Sequence, residues 1–204
     1  MVYTVGHSNH SLEEFLKLLQ NAQVTAIADV RSAPYSSYSP HFNKDALKEA
    51  LKDHGIAYVY LGKELGGRSD DPSYFDGDRV SYQRLAETHL FLEGLKRVRE
   101  GAARYKIALM CSEKDPLDCH RHLLVSRKLS EDGVQVLHIL SDGTIEDHAA
   151  TEARMLGSSN SEQGDMFHAA RLVDPLVEAY ERQAKSVAYR RSDDRNDKAL
   201  RKTA

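Results

Sequence analysis

The chain has no hydrophobic run near the roughly 18 to 20 residues that a membrane-spanning helix needs. Its opening segment, MVYTVGHSNHSLEEF, lacks both a basic stretch leading into an apolar one and a small-residue cleavage site. These absences give the expectation of a cytoplasmic protein with no membrane contact. Cysteine is scarce. Cys111 and Cys119 are the only two in 204 residues, and they do not form a C-x-x-C pair, so thioredoxin and zinc-ribbon spacings are excluded. In a reducing compartment two such residues are free thiols, catalytic groups or metal ligands before they are a structural disulfide.

Other signatures are missing too. The net charge of -3 gives no global attraction to nucleic acid or an anionic membrane, so only local charge is informative. Neither G-x-G-x-x-G nor G-x-x-x-x-G-K-S/T occurs, which removes the dinucleotide and P-loop fingerprints. Six residues beyond Cys111 and Cys119 stand Leu117 and Val125, not the arginine of a Cys-x5-Arg phosphatase loop.

What is present is a normal core under a solvated surface, with 41% hydrophobic and 29% charged residues in a chain long enough for one domain. Short apolar, β-branched runs at 2–5, 24–30, 56–61, 107–110 and 134–140 alternate with helical patterns, each run closed by turn residues. Ser11 caps the first helix, Asn43 the second, Ser81 opens a long helix to about Arg99, and Asp118 opens one through Leu129. Residues 62–80 read as a long loop. Strands alternating with helices predict a single-domain, Rossmann-like α/β fold, with a mostly parallel five-stranded sheet and helices on both faces. That domain spans residues 1–145. Residues 146–204 read as a helical extension, with a helix from about Met166 to Tyr189 and a basic, flexible tail. The tail's eight Lys or Arg against four acids after residue 180 read as a solvated end.

In an open parallel sheet, ligands bind outside the carboxyl ends of the strands. Here those ends carry Gly6-His7-Ser8, Asp29-Val30-Arg31, Leu61-Gly62 and Cys111-Ser112-Glu113, whereas the opposite ends carry little chemistry. Cys111 and Glu113 share a strand face, as do Asp29 and Arg31, the latter pair being an ion pair or a ligand contact in equal measure. Cys119, beside His120 and Arg121 at a helix start, has the setting of a lowered thiol pKa. The expected catalytic set is Cys119, Glu113, His7, Cys111 and His120. Arg31, Arg121, Asp29, Ser8 and Tyr35 are expected to bind substrate, the arginines as an anion clamp.

At these residues the sequence resembles a known family: GHS from Gly6, DVRSxPYS from Asp29, YxxLGKELGG from Tyr58 and CSEKDPLDCHR from Cys111 to Arg121 look like the domain of unknown function 488 family. The likeness covers roughly residues 1 to 140. It implies a compact α/β domain with a Cys- and His-rich motif, and some members carry a DNA-repair label.

Three functions compete. The first is an enzyme acting on a small anionic, phosphate-bearing or nucleotide-like substrate, a thiol-dependent hydrolase or transferase. The second is a protein holding zinc or iron through Cys111, Cys119 and His120 or His7. Two cysteines eight residues apart are a weak metal signal, so no metal or cofactor is expected. The third is a non-catalytic nucleic-acid-binding module using the tyrosine-rich loop from Tyr35 to Tyr38 and the basic tail. The sequence leaves the oligomeric state open.

Overall fold

The computed structural model of the chain describes residues 1–160 and 174–191. It is an α/β fold around a six-stranded, mostly parallel sheet. In chain order the elements are β1 (Val2–Gly6), α1 (Leu12–Asn21), β2 (Ala26–Asp29), α2 (Lys44–Asp53), β3 (Ala57–Tyr60) and α3 (Gly62–Leu65). The small hairpin β4 (Phe75–Asp76) and β5 (Arg79–Val80) follows, then α4 (Tyr82–Ala86), α5 (His89–Ala102) and β6 (Ile107–Cys111). A π-helix (Arg121–Ser126) runs into α6 (Arg127–Glu131), and β7 (Val136–Ile139), β8 (Ile145–Asp147), α7 (His148–Asn160) and α8 (Pro175–Val187) complete the described chain.

The main sheet has the order β3-β2-β6-β1-β7-β8. β1 pairs in parallel with both β6 and β7, with Gly6 opposite Cys111. The sheet therefore holds one strand more than the five expected. The addition is β8, a three-residue edge strand antiparallel to β7. Its sequence, Ile-Glu-Asp, carries no apolar alternation, and the turn at Asp142-Gly143 that folds it back reads equally well as the end of a domain.

Burial on both faces explains why β6 reads as a continuous apolar run. Ile107, Leu109 and Cys111 face a core with Leu95 and Val98 of α5 and Leu129 of α6. Ala108 and Met110 face the opposite core, with Phe15 and Leu19 of α1 and Leu47 and Leu51 of α2. α1 starts on a capping box, in which Ser11 accepts from the Glu14 amide and Glu14 accepts from the Ser11 amide.

Three local expectations change. The helix expected from Ser81 to Arg99 is two helices, because Ser81 and Thr88 each cap a separate start. Residues 62–80 are not one loop but contain α3 and the β4-β5 hairpin. The helix expected from Asp118 starts later. Asp115, not Asp118, caps a 3-10 turn (Pro116–Asp118), Cys119 is extended at φ -139° and ψ 137°, and the π-helix begins at Arg121. That π-helix is buried throughout, and Ser126 Oγ donates to the Arg121 carbonyl at 2.6 Å. Its wide turn is the kind of irregularity that recurs at functional sites.

Beyond residue 145, α7 and α8 pack against one another and, through Leu123, Met155, Ala179 and Tyr180, against the π-helix. Arg154 of α7 clasps Asp115 at 2.9 and 3.1 Å and also bonds Glu146. The first part of the helix expected from Met166, and the end of the basic tail, lie outside the described residues.

Candidate metal and thiol site at the carboxyl edge of the sheet

β6 ends on Cys111, and the chain then turns back so that residues 113–120 fold over the strand end. Gly6 at the end of β1 makes this possible: a Cβ there would stand 1.9 Å from the carbonyl oxygen of Glu113. The close approach is sealed by Arg121. This fully buried guanidinium donates to the Glu113 carbonyl at 2.7 Å and to the Lys114 carbonyl at 3.0 Å.

Four chemically active groups meet inside that turn. Glu113 Oε2 lies 2.9 Å from Cys111 Sγ and 2.9 Å from Cys119 Sγ. His120 Nδ1 lies 3.6 Å from the first sulfur and 4.0 Å from the second. The four potential metal-ligand atoms all fall within 4.8 Å of one another. Both cysteines are free and buried, His120 is nearly buried, and Glu113 is exposed along its length while its carboxylate points inward.

The electrostatics follow from crowding negative groups under a shared cover. Burial pushes the Cys111 thiol well up, and the hydrogen bond and charge of Cys119 add to that rise. For Cys119 burial also works upward, but the hydrogen bond from Cys111, the Arg121 guanidinium and His120 prevail and hold it well below the ordinary thiol value. The two thiols are thus shifted in opposite directions. Glu113 is raised by burial and then by the Cys119 charge. Burial opposes the imidazolium form of His120, yet its bond to Cys119 and the surrounding negative charge raise it above its usual value. The arrangement favours a positive charge at the point between the two sulfurs.

His7, Asp29 and Arg31 form an adjoining network. Arg31 grips Asp29 in a two-pronged ion pair, Nε to Oδ1 at 2.9 Å and Nη2 to Oδ2 at 2.7 Å, and also donates to the Phe42 carbonyl. Tyr58 donates to Asp29 at 2.7 Å. The ion pair that the sequence allowed these two residues is formed. His7 Nε2 lies 3.2 Å from Arg31 Nη1, its Nδ1 donates to the Ser8 carbonyl, and its ring stacks on Phe42 at 4.3 Å. Burial, and then the Arg31 charge, lower His7 to about 4, so it is neutral at pH 7 with both nitrogens engaged.

The structure therefore brings Cys111, Glu113, Cys119 and His120 into one cluster and sets His7, Asp29 and Arg31 beside it. The two halves are joined by His120, whose Nε2 bonds the Val30 carbonyl, and by the His7 amide, which donates to the Cys111 carbonyl. Ser8 and Tyr35 bond elsewhere: Ser8 Oγ to Asn9, and the exposed Tyr35 hydroxyl to Asp45. Arg121 donates through Nη1 and Nη2 to two backbone carbonyls and keeps a buried, unpartnered Nε, while Arg31 is engaged by Asp29 and the Phe42 carbonyl. Sequence reasoning missed Gly67, where a Cβ would stand 2.8 Å from the His120 side chain, and Gly6 as the residue admitting the Glu113 turn. A glycine signals such a close approach, but nothing in the sequence says what approaches.

No helix among the described residues is long and apolar enough to cross a membrane. No curated protein and no solved structure is similar enough to this chain to match it. The sequence model of the family described as domain of unknown function DUF488 matches residues 11–128, more than half of the chain and all of the cysteine turn, and the chain belongs to that family.

Proposed function

We propose that this protein binds a metal, and that Cys111, Glu113, Cys119 and His120 hold one divalent transition ion at the carboxyl edge of the sheet. Zinc suits two thiolates, an imidazole and a carboxylate best, with iron as the alternative. The observation that supports the reading is the convergence of both sulfurs, Glu113 Oε2 and His120 Nδ1 within 4.8 Å. A tetrahedral zinc keeps a thiolate sulfur and an imidazole nitrogen about 3.5 Å apart. The two sulfur-to-Nδ1 distances are 3.6 and 4.0 Å. The sulfur-to-carboxylate contacts are shorter, and a movement of roughly half an ångström by the exposed Glu113 arm brings them to the same geometry.

The sequence expectation of no metal rested on the spacing of two cysteines alone. Folding brings His120 rather than His7 to the two sulfurs and adds Glu113, a donor that the metal reading of the sequence did not include. It also supplies the outer support typical of metal sites, because the second nitrogen of His120 is anchored on a backbone carbonyl.

A catalytic role is the second reading, favoured by one observation: Glu113 as a residue is exposed, with only its carboxylate turned in to the sulfurs, while the other three donor residues are buried. A position reachable from solvent is what separates catalytic zinc sites from closed structural ones. In this reading water or a substrate oxygen replaces Glu113, and the carboxylate then serves as acid or base beside it.

The test is cobalt titration of the metal-stripped full chain. One equivalent giving a thiolate-to-cobalt charge-transfer band, lost in Cys111→Ser and Cys119→Ser, is the expected result. Absence of that band, with alkylation of both cysteines unaffected by zinc, overturns the proposal.

A further inference from the structure

The π-helix places a second set of donors away from the cysteines. His122 projects from the π-helix, His138 from β7 and His148 from the start of α7. All three are buried, at 0%, 1% and 3% exposure, and one ring nitrogen from each falls within 4.8 Å of the others. Only His122 lies inside the family match, which ends at residue 128.

Two of the three belong to a hydrogen-bonded chain that is complete without a metal. The Tyr180 hydroxyl donates to Glu152 at 2.8 Å and lies 3.2 Å from His148 Nε2, so it accepts from that nitrogen. His148 Nδ1 is then an acceptor facing His138 Nε2 at 3.1 Å, and His138 Nδ1 lies 2.7 Å from the Thr4 hydroxyl. His122 has no place in this chain. Neither of its ring nitrogens has a hydrogen-bond partner, although its ring stands 5.2 Å from that of His138 and 4.8 Å from that of His148. Burying an imidazole with its donor and acceptor both unmet is destabilising, so a leucine there would serve the core better.

We propose that His122, His138 and His148 form a second metal site, taking one divalent first-row cation with zinc the best fit, and that this ion fastens the segment after residue 145 to the sheet and the π-helix. Imidazole nitrogens on a tetrahedral zinc lie about 3.4 Å apart, close to the 3.1 Å between His138 Nε2 and His148 Nδ1. The outer partners already suit ligation. With Nε2 of His138 on the ion, its Nδ1–H donates to Thr4, whose hydroxyl accepts as readily as it donates. With Nδ1 of His148 on the ion, its Nε2–H donates to Tyr180 and faces the Glu152 carboxylate at 3.5 Å, the carboxylate–histidine–metal pattern. Burial, the largest cause, works against the charged form of each ring, and the neutral form is the one that binds metal. The positive charges of Arg121 and Arg154 act on His122 and His138. Asp115 and Glu146 neutralise Arg154, while Glu152 and Asp147 face His148.

The two sites are separated by silencing the first. In the Cys111→Ser/Cys119→Ser chain, zinc titration by calorimetry is expected to show one remaining equivalent and a raised Tm. Adding His122→Leu is expected to abolish both effects, while the metal-free Tm stays level or rises. Should the double cysteine variant fail to fold, the comparison moves to the otherwise unaltered chain. There wild type is expected to hold two equivalents of zinc and His122→Leu one, with the thiolate-to-cobalt band unchanged. The inference is overturned if His122→Leu leaves the zinc count unchanged, or if the folded double cysteine variant binds none. Failure of the cysteine site instead appears as loss of the thiolate band, so the two failures are distinguishable.

Discussion

His120 donates its Nε2–H to the carbonyl oxygen of Val30 at 3.0 Å, and this bond across two strand ends decides which face of the imidazole the cysteines see. A carbonyl can only accept, so the proton lies on Nε2 and the Nδ1 side is turned to the sulfurs. Removing the ring removes a donor from the proposed metal set and leaves the Val30 carbonyl unmet. His120→Ala is expected to weaken zinc binding at the cysteine site by at least about 100-fold. Competition against a chelator of known affinity measures it, and an unchanged affinity would show that His120 is not a ligand.

Gly6 is the residue on which the Glu113 turn rests. A methyl group there meets the Glu113 carbonyl at 1.9 Å and Arg121 Nη1 at 3.2 Å, and the first obstacle is backbone that no rotamer change can clear. Gly6→Ala is expected to cost about 1–3 kcal/mol through overpacking and to lower metal affinity, because Glu113 moves with its carbonyl. Gly157→Ala is the opposite case. Its Cβ meets nothing within 4 Å inside α7, so a gain of about 0.5–1 kcal/mol is expected from helix propensity. Urea melts of the two variants test both signs.

The buried pair of Asp29 and Arg31 holds the end of β2 beside the cysteine cluster. Asp29 is fully buried and Arg31 almost so. Arg31→Ala leaves the carboxylate with only the Arg31 amide and the Tyr58 hydroxyl, so a loss of about 3–5 kcal/mol is expected, as for other buried charges left without a partner. Tyr58→Phe removes one hydrogen bond to a charged group and is expected to cost about 1.5–3 kcal/mol. Equal effects from the two would show that the ion pair adds nothing beyond the tyrosine bond.

The sheet was legible because its evidence is local and repeated. Val2–Val5 and Ile107–Met110 are apolar on both faces, the helices between them carry caps and stripes, and the crossover rule then places the strand ends on one edge. The identity of the clustered residues followed from that rule. Their pairing did not. That Arg31 turns to Asp29, that Arg121 binds two carbonyls, and that Glu113 reaches both sulfurs depend on the backbone path after Cys111, which Gly6 permits and which no periodicity records. β8 escaped notice because three edge residues have no pattern. The His122 cluster did so because its members lie 16 and 10 residues apart on three different elements, and a lone histidine has no spacing to read.

Arg121 separates the two accounts of this edge most directly. As an anion clamp it would face the ligand, and inorganic phosphate would protect Cys119 from alkylation. In the structure it is fully buried and spans the carbonyls of Glu113 and Lys114, acting as a brace for the turn that carries Glu113 and as a positive charge beside Cys119. Lysine keeps the charge but offers one compact ammonium where the guanidinium forks to two acceptors. Arg121→Lys is therefore expected to lose about 1.5–3 kcal/mol of stability and roughly 10- to 100-fold in zinc affinity, as for an outer partner of a metal ligand. Iodoacetamide is expected to label Cys119 at the same rate with and without phosphate in the wild-type chain, and more slowly once zinc is added. Protection by phosphate without protection by zinc would reverse the assignment, making the arginine the ligand-binding group and the cysteine the nucleophile.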